Sequence, residues 1–117
     1  YDKDGNVKET GILPSPNERY AWHQITLENG DSVSLRQDNG NNFYALSNTR
    51  IRFEMTLNRA GNVSIDFIDD GGDTIADFRG HEMTSCSFTL KATTYFYVKV
   101  TNISSDRLVI KNATLTF

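Results

Sequence analysis

The sequence predicts an all-β domain, an antiparallel β-sandwich of about eight or nine strands with jelly-roll or immunoglobulin-like topology. Three observations predict it: apolar and polar residues alternate over short segments, Asn-Gly, Asp-Gly and Gly-Gly turn signals separate those segments, and helical periodicity is absent. Antiparallel strands with one apolar face hide those faces by pairing two sheets. The 117 residues suffice for one such core without metals or disulfides.

The N-terminal residues differ from the rest of the chain. Residues 1–19 are polar, carry the turn signal Asp4-Gly5, and contain Pro14 and Pro16, which discourage regular structure. We interpret residues 1–19 as a polar leader, either a tail or a loosely attached hairpin, and we assign residues 20–117 to a single β-sandwich domain.

Alternation predicts the central strands. In residues 50–57 every odd position is apolar and every even one is polar, and residues 63–67 repeat the pattern after the turn at 58–61, which predicts a hairpin between the two segments. The Asp/Gly-rich turn at 69–73 leads into a short strand at 74–78, and residues 80–84 are predicted to be a loop.

Two strands follow that loop. Cys86 shares its parity with Phe88 and Leu90, so we expect the thiol in the core; as the single cysteine it excludes an internal disulfide. In residues 95–100, Phe96, Val98 and Val100 form the predicted core face. This strand is expected to pair with its neighbour along the chain.

The last strand changes phase. Leu108 and Ile110 have one parity, whereas Ala113, Leu115 and Phe117 have the other, which predicts a β-bulge near Lys111-Asn112. Upstream, three short segments complete the count of strands: residues 25–27, 33–35 and 43–46.

Charge, hydropathy and motifs exclude several classes of function. No apolar run approaches the roughly 18 residues of a membrane span, and the net charge of −3 argues against a nucleic-acid binder. Only His23 and His81 could act as bases at neutral pH, and no nucleophile motif accompanies either of them. We therefore do not expect an enzyme. Three glycosylation sequons, at Asn62, Asn102 and Asn112, are close to the number expected by chance.

Two segments resemble a known family. Residues 65–75 end a strand in an Asp/Gly hairpin, and residues 94–100 open a later strand with a Tyr-rich run. Over residues 50–117 this pattern is similar to the bacterial pre-peptidase C-terminal domains and, more loosely, to jelly-roll carbohydrate-binding modules. The resemblance implies a non-catalytic accessory domain of a secreted or cell-surface protein. The glycine that usually precedes the Tyr run is replaced here by Ala92-Thr93-Thr94, and residues 1–22 match no part of the pattern.

The face opposite the predicted core of residues 95–100 is the first candidate site. Alternation places Tyr95, Tyr97 and Lys99 side by side on that face. Tyrosine offers a flat apolar ring for stacking on a sugar and a hydroxyl for hydrogen bonding. Cross-strand packing of the two tyrosines is the structural alternative.

Tyr20, Trp22 and His23 form a second aromatic cluster, where the leader meets the first strand. A tryptophan at this place either stacks on a ligand or plugs the end of a sandwich core. If Trp22 is exposed, it is the best candidate for stacking on a sugar.

An acidic run offers a candidate metal site. Asp69, Asp70 and Asp73 lie on one tight turn, flanked by Asp66 and Asp77, and Ca²⁺ prefers clustered carboxylate oxygens. No complete calcium-loop motif is present, and Asp-Gly dipeptides are ordinary hairpin chemistry. Apart from a structural calcium here, the sequence suggests no cofactor.

The sequence thus predicts a secreted or cell-surface binding module, with carbohydrate as its ligand. The predicted contact residues are Tyr95, Tyr97, Trp22 and Tyr20, with polar rim contacts from Lys99 and from Arg50 or Arg52. The alternative is a structural or protein-interaction module, such as an adhesin segment or an enzyme-docking domain, because exposed tyrosines serve protein interfaces equally well.

Overall fold

Ten antiparallel strands form the fold in a computed structural model that describes residues 11–15, 19–37 and 40–117. The strands are β1 (Gly11–Ser15), β2 (Arg19–Leu27), β3 (Ser32–Leu35), β4 (Phe43–Ala45), β5 (Arg50–Leu57), β6 (Val63–Asp69), β7 (Thr74–Gly80), β8 (Met83–Thr89), β9 (Thr94–Asn102) and β10 (Leu108–Thr116). Within the described ranges, no helix is long and apolar enough to cross a membrane.

The strands form two five-stranded sheets packed face to face. Sheet A has the order β1-β2-β10-β5-β8, and sheet B has the order β3-β9-β6-β7, with β4 also paired to β9. The pairs β2·β10, β3·β9, β5·β8 and β6·β7 are nested, as in one long hairpin rolled over on itself. This nesting is the jelly-roll arrangement, so the predicted all-β sandwich is confirmed and the jelly-roll alternative is the one that forms.

The tenth strand is β1, which lies inside the predicted leader. Gly11–Ser15 pairs antiparallel with β2 and forms one edge of sheet A. An edge position tolerates Pro14, which has no backbone N–H to donate. The rest of the predicted leader, apart from Arg19 in β2, lies outside the described residues. The division of the chain at residue 20 stays a prediction.

The inner faces of both sheets form one apolar core. Alternate residues of β5 are buried, as their alternation predicts, and in β6 the apolar residues Val63, Ile65 and Phe67 are buried. Phe67 of β6 contacts Phe53 and Phe88 of sheet A, with ring centroids 6.3 and 4.7 Å away. Cys86 is buried opposite Phe53, so its predicted core position is confirmed.

The predicted bulge in β10 is present, and β2 matches it. The register of β10 against β5 shifts between Ile110 and Asn112, whereas the register of β10 against β2 is continuous. In β2, Gln24 has a positive φ of 58° and lies between the buried residues Trp22 and Ile25. Both strands therefore change face at the same level, and β5 does not.

Two predicted strand pairings are wrong. Residues 50–57 and 63–67 do not form a hairpin, because β5 lies in sheet A and β6 in sheet B. Likewise β9 does not pair with β8; it lies between β6 on one side and β3 and β4 on the other. The predicted loop at 80–84 is also shorter, since β7 ends at Gly80 and β8 begins at Met83.

One buried polar residue joins two loops at an end of the sandwich. The Asn102 Nδ2 group donates to the carbonyl oxygens of Leu27 and Asp106, at 2.9 and 2.8 Å. Its Oδ1 atom accepts from the Ser104 backbone N–H at 2.8 Å. All the side-chain hydrogen-bonding groups of this fully buried residue are thus satisfied within the fold.

Candidate functional site

The outer face of β9 carries the side chains that alternation places there. Phe96, Val98 and Val100 are fully buried in the core. Tyr95 is 49% exposed on the opposite face, and Tyr97 and Lys99 are half-buried beside it. Because β9 has neighbours on both sides in sheet B, this row of side chains lies within the sheet and not at its edge.

A third tyrosine, absent from the sequence prediction, completes the aromatic surface. β4 pairs with β9 so that Tyr44 lies directly opposite Tyr95. The two ring centroids are 4.8 Å apart, with planes inclined by 50°, and the two side chains are 48% and 49% exposed. We call these two residues the tyrosine pair. The signal that could have identified Tyr44 is its position between the apolar residues Phe43 and Ala45, which sets its face.

Tyr97 has a different environment from the tyrosine pair. The guanidinium carbon of Arg36, just after β3, lies 4.1 Å from the centroid of the Tyr97 ring, in cation–π contact. The Arg36 Nε–H donates to Asn42 Oδ1 at 2.8 Å, which fixes the guanidinium in place. One face of the Tyr97 ring is thus covered by the arginine, so this residue offers a ligand less ring surface than alternation alone suggests.

A polar groove adjoins the tyrosine pair. Its volume is about 530 Å³, and it is lined by Gln37, Gly40, Asn41, Asn42, Tyr44, Asp70 and Tyr95. The Gln37 Nε2 group donates to the Asn42 carbonyl oxygen at 2.8 Å, which ties the two ends of this loop together. Amide side chains beside exposed aromatic rings combine hydrogen-bonding groups with a flat apolar surface, as a sugar requires.

Trp22 is not available to a ligand, which corrects the prediction that includes it among the contact residues. The side chain is fully buried, and its ring lies edge-on to Phe43 at a centroid distance of 5.9 Å. The core interpretation of this residue therefore applies. Tyr20 is half-buried and packs on Phe43 and Phe117, at 4.6 and 6.0 Å, so it belongs to the same end of the core.

The predicted rim contacts from Arg50 and Arg52 are also wrong, because both residues lie on β5 in the other sheet. The Arg50 Nη2 group donates to Ser87 Oγ at 2.9 Å, and Arg52 faces Glu54 at 4.0 Å. Of the predicted rim cations, only Lys99 lies on the outer face of sheet B that carries the tyrosine pair, which we call the tyrosine face.

The Asp-rich turn at residues 69–73 uses its first carboxylate within the turn. Asp69 Oδ1 accepts the backbone N–H groups of Gly71 and Asp73, at 3.0 and 2.9 Å. Gly72 has a φ of +87°, a conformation that favours glycine. In the part of the chain that the structure describes, no three His, Cys, Asp or Glu side chains come together as a metal site. The geometry favours the turn interpretation, and calcium binding here stays a prediction.

His81 is the histidine whose side chain the structure describes. His81 Nδ1 lies 3.2 Å from Asn62 Oδ1, on the connection between β7 and β8 and away from the tyrosine pair. The His23 side chain lies outside the described part of the structure.

No protein-family model matches the chain, and no curated protein matches it. Solved structures do resemble its fold. A carbohydrate-binding module of BiXyn10A matches with a TM-score of 0.52 and 9% identity, covering 100% of this chain and 95% of that one. The C-terminal CBM6 of the marine laminarinase LamC from Zobellia galactanivorans matches with a TM-score of 0.51 and 16% identity, covering 99% and 96%.

A third structure of similar fold was solved in complex with a ligand. The carbohydrate-binding module CBM6cm-2 from Cellvibrio mixtus lichenase 5A, in complex with cellotriose, matches with a TM-score of 0.50 and 13% identity over 93% of this chain and 86% of that one. At these identities the likeness is one of fold, the β-sandwich. The predicted resemblance to pre-peptidase C-terminal domains finds no support in these comparisons.

Proposed function

We propose that this domain is a non-catalytic module that binds carbohydrate on the outer face of sheet B. The tyrosine pair carries the proposal: two half-exposed rings in contact, beside a groove lined by amide side chains. Aromatic rings stack on the apolar faces of sugar rings, and the neighbouring amides of Gln37, Asn41 and Asn42 provide partners for hydroxyl groups. In this proposal Tyr95 and Tyr44 contact the ligand, and Lys99 contributes at the rim.

The similarity of fold supports this proposal without identifying the ligand. The three modules that share the sandwich are named as carbohydrate-binding, and one of them was solved with cellotriose. A module of this kind acts beside an enzyme or at a surface, so we place the protein outside the cell or at the cell surface. Its partner in this proposal is a polysaccharide and not a nucleic acid.

The test is affinity electrophoresis in gels that contain soluble polysaccharides, with the wild-type domain compared with Tyr95→Ala. We expect at least one polysaccharide to retard the wild type and to leave Tyr95→Ala unretarded. The matched control is Met83→Ala, which truncates a side chain that is 77% exposed on sheet A. The control should migrate like the wild type in every gel.

The stability of Tyr95→Ala must be measured alongside its binding. Loss of the contact with Tyr44 should cost about 1 kcal/mol, which leaves the fold intact. If a polysaccharide retards Tyr95→Ala as strongly as the wild type, the tyrosine pair does not contact the ligand.

One observation favours the second candidate function, a protein-interaction module. Leu46, two residues from Tyr44, is 60% exposed, and both residues line a shallow cavity of about 300 Å³ with Phe117. Exposed apolar and tyrosine side chains in one patch are typical of protein interfaces. If no polysaccharide retards the wild type, this patch becomes the leading candidate for the function.

A further inference from the structure

Arg36 is held in a fixed orientation, and most of its donors have no acceptor among the described residues. Its guanidinium lies over the Tyr97 ring at 4.1 Å, and its Nε–H is bonded to Asn42 Oδ1. A guanidinium has five N–H donors, so four of them, on the two Nη atoms, remain. No other described residue accepts a hydrogen bond from these four groups.

Among the residues that the structure describes, no carboxylate forms an ion pair with Arg36 or Lys99. The ion pairs among the described residues are Arg52–Glu54, Arg59–Asp106 and Arg107–Glu28, and none of them includes Arg36 or Lys99. Lys99 lies opposite Asp66 in the register of β9 with β6, yet no ion pair joins them within 4.0 Å. Within the described ranges, Arg36 and Lys99 therefore lie beside the tyrosines without a carboxylate partner.

The outer face of sheet B carries both cations and carboxylates. Arg36 follows β3, and Lys99 lies on β9, next to β3. Asp66 lies on β6 opposite Lys99, Asp77 and Arg79 lie on β7, and Asp70 lines the groove just after β6. A ligand that follows β3, β4 and β9 meets the tyrosine pair and the two cations.

The chemistry of an immobilised guanidinium indicates the ligand. Its planar fork matches a carboxylate in two parallel hydrogen bonds, and stacking on an aromatic ring pre-organises it for that geometry. A ligand that uses both the fork and the tyrosine pair carries a carboxylate on a pyranose ring. Polymers of uronic acids repeat that combination in each residue.

We propose that Arg36, supported by Tyr97, determines the specificity of this site, and that its ligand is a polysaccharide of uronic acids. This inference rests on the proposed function, since it assigns the ligand class of the same site. Tyr97 is a positioning residue in it, acting on the ligand through the arginine.

The test compares polygalacturonate with the same polymer after reduction of its carboxyl groups, and adds a neutral xylan, a neutral β-glucan and a sulfated galactan. Affinity electrophoresis is run on the wild type, Arg36→Gln, Arg36→Lys and Met83→Ala. We expect polygalacturonate alone to retard the wild type. Arg36→Gln should bind it about 10-fold to 100-fold more weakly, as expected for loss of a charge-assisted pair of hydrogen bonds. Arg36→Lys should lie between them, since it keeps the charge and loses the fork.

Tyr97→Ala tests the positioning role. It should weaken binding of polygalacturonate in the wild-type background and have little further effect when added to Arg36→Gln, because the two residues act as one unit. Equal losses in both backgrounds would show that Tyr97 contacts the ligand directly. Melting temperatures of all variants show whether each one is folded.

The outcomes separate this inference from the proposed function. Binding of the reduced polymer, the xylan or the β-glucan as tightly as polygalacturonate overturns the uronate assignment and leaves a carbohydrate module in place. Equal binding of the sulfated galactan overturns the carboxylate specificity in favour of any anion. If no polysaccharide retards the wild type, both proposals fail together.

Discussion

Asn102 shows how a single buried polar side chain stabilises two loops at once. Replacement by alanine leaves the carbonyl oxygens of Leu27 and Asp106 and the N–H of Ser104 without their partner. We expect Asn102→Ala to lower the free energy of unfolding by about 3 kcal/mol, because unsatisfied buried polar groups cost about 1–3 kcal/mol each and water reaches some of them.

Urea denaturation measures this loss. Asn102→Asp keeps the shape and removes both Nδ2 donors, so it should be destabilised by at least as much. Asn29→Ala, which removes one solvent-exposed hydrogen bond to the Ser104 carbonyl oxygen in the same loops, is the control and should change stability by less than about 1 kcal/mol. A similar loss of unfolding free energy in all three variants would mean that any substitution in these loops is destabilising. The hydrogen bonds of Asn102 would then have no special contribution.

Cys86 gives a prediction about pH. Burial raises the pKa of its thiol from the ordinary 9.0 to about 11. Below pH 9 both the folded and the unfolded chain keep the thiol proton. The stability that burial of the neutral Cys86 thiol contributes is then fully present. Between pH 9 and 11 only the unfolded chain releases the proton, so stability falls as the pH rises.

The measurement is the free energy of unfolding at pH 8 and pH 10.5 for the wild type and Cys86→Ala. The wild type should lose about 2 kcal/mol more than the variant over this interval, since a shift of one pKa unit corresponds to about 1.4 kcal/mol. Parallel declines in the two proteins would show that other groups account for the alkaline loss.

At the residue scale, the sequence predicted which face of a strand a side chain occupies better than it predicted whether that side chain lies in the core or at the site. Alternation assigned Tyr95, Tyr97 and Lys99 to one face because side-chain direction in a strand is a local property. It could not assign Tyr44 or Arg36 to the same face, because their approach to β9 depends on strand order. Trp22 was ambiguous for a similar reason: its environment depends on Phe43, 21 residues further along the chain.

At the scale of elements, the paired irregularity of β2 and β10 has a testable consequence. Lys111 is the extra residue of β10 relative to β5, and Gln24 is its counterpart in β2. Deleting Lys111 alone shifts the rest of β10 by one residue relative to β2. Buried side chains of either β10 or β2 must then turn away from the core. We expect this deletion to cost more than about 4 kcal/mol or to prevent folding.

Deletion of both Gln24 and Lys111 restores the register between β2 and β10, and we expect it to recover about half of the lost stability. Thermal unfolding followed by circular dichroism compares the wild type, the two single deletions and the double deletion. A double deletion less stable than either single one would show that the two positions are independent.

At this scale the sequence predicted which residues of a strand face the core, but it did not predict which strands pair with each other. The parity change between Ile110 and Ala113 identified the bulge, because apolar residues must return to the core. The predicted hairpin of residues 50–57 with 63–67 failed, because the same alternation suits a strand that crosses to the opposite sheet. The β6–β7 hairpin succeeded because its turn chemistry, at Asp69 and Gly72, is local.

At the scale of the whole molecule, the nested strand pairs make the core a single cooperative unit. Phe67 contacts aromatic rings from both sheets, Phe53 and Phe88 in sheet A and Phe78 and Phe96 in sheet B. We expect Phe67→Ala to lower the free energy of unfolding by about 3–5 kcal/mol through lost burial and the cavity that remains.

Tryptophan fluorescence and far-ultraviolet circular dichroism should report the same transition for Phe67→Ala, since Trp22 lies at a different part of the same core. Met83→Ala, on the exposed side of β8, should leave the transition unchanged. Separate transitions by the two probes would show that the two parts of the core unfold independently.

The burial of Asn102 has a further consequence for how this protein can be produced. Asn102-Ile103-Ser104 is a glycosylation sequon, and a glycan attached to the unfolded chain would occupy the Nδ2 atom that donates to Leu27 and Asp106. A chain carrying that glycan cannot close these loops. Secretion from a eukaryotic host therefore calls for Ser104→Ala, which removes the sequon and costs only the exposed hydrogen bond from the Asp106 N–H to Ser104 Oγ.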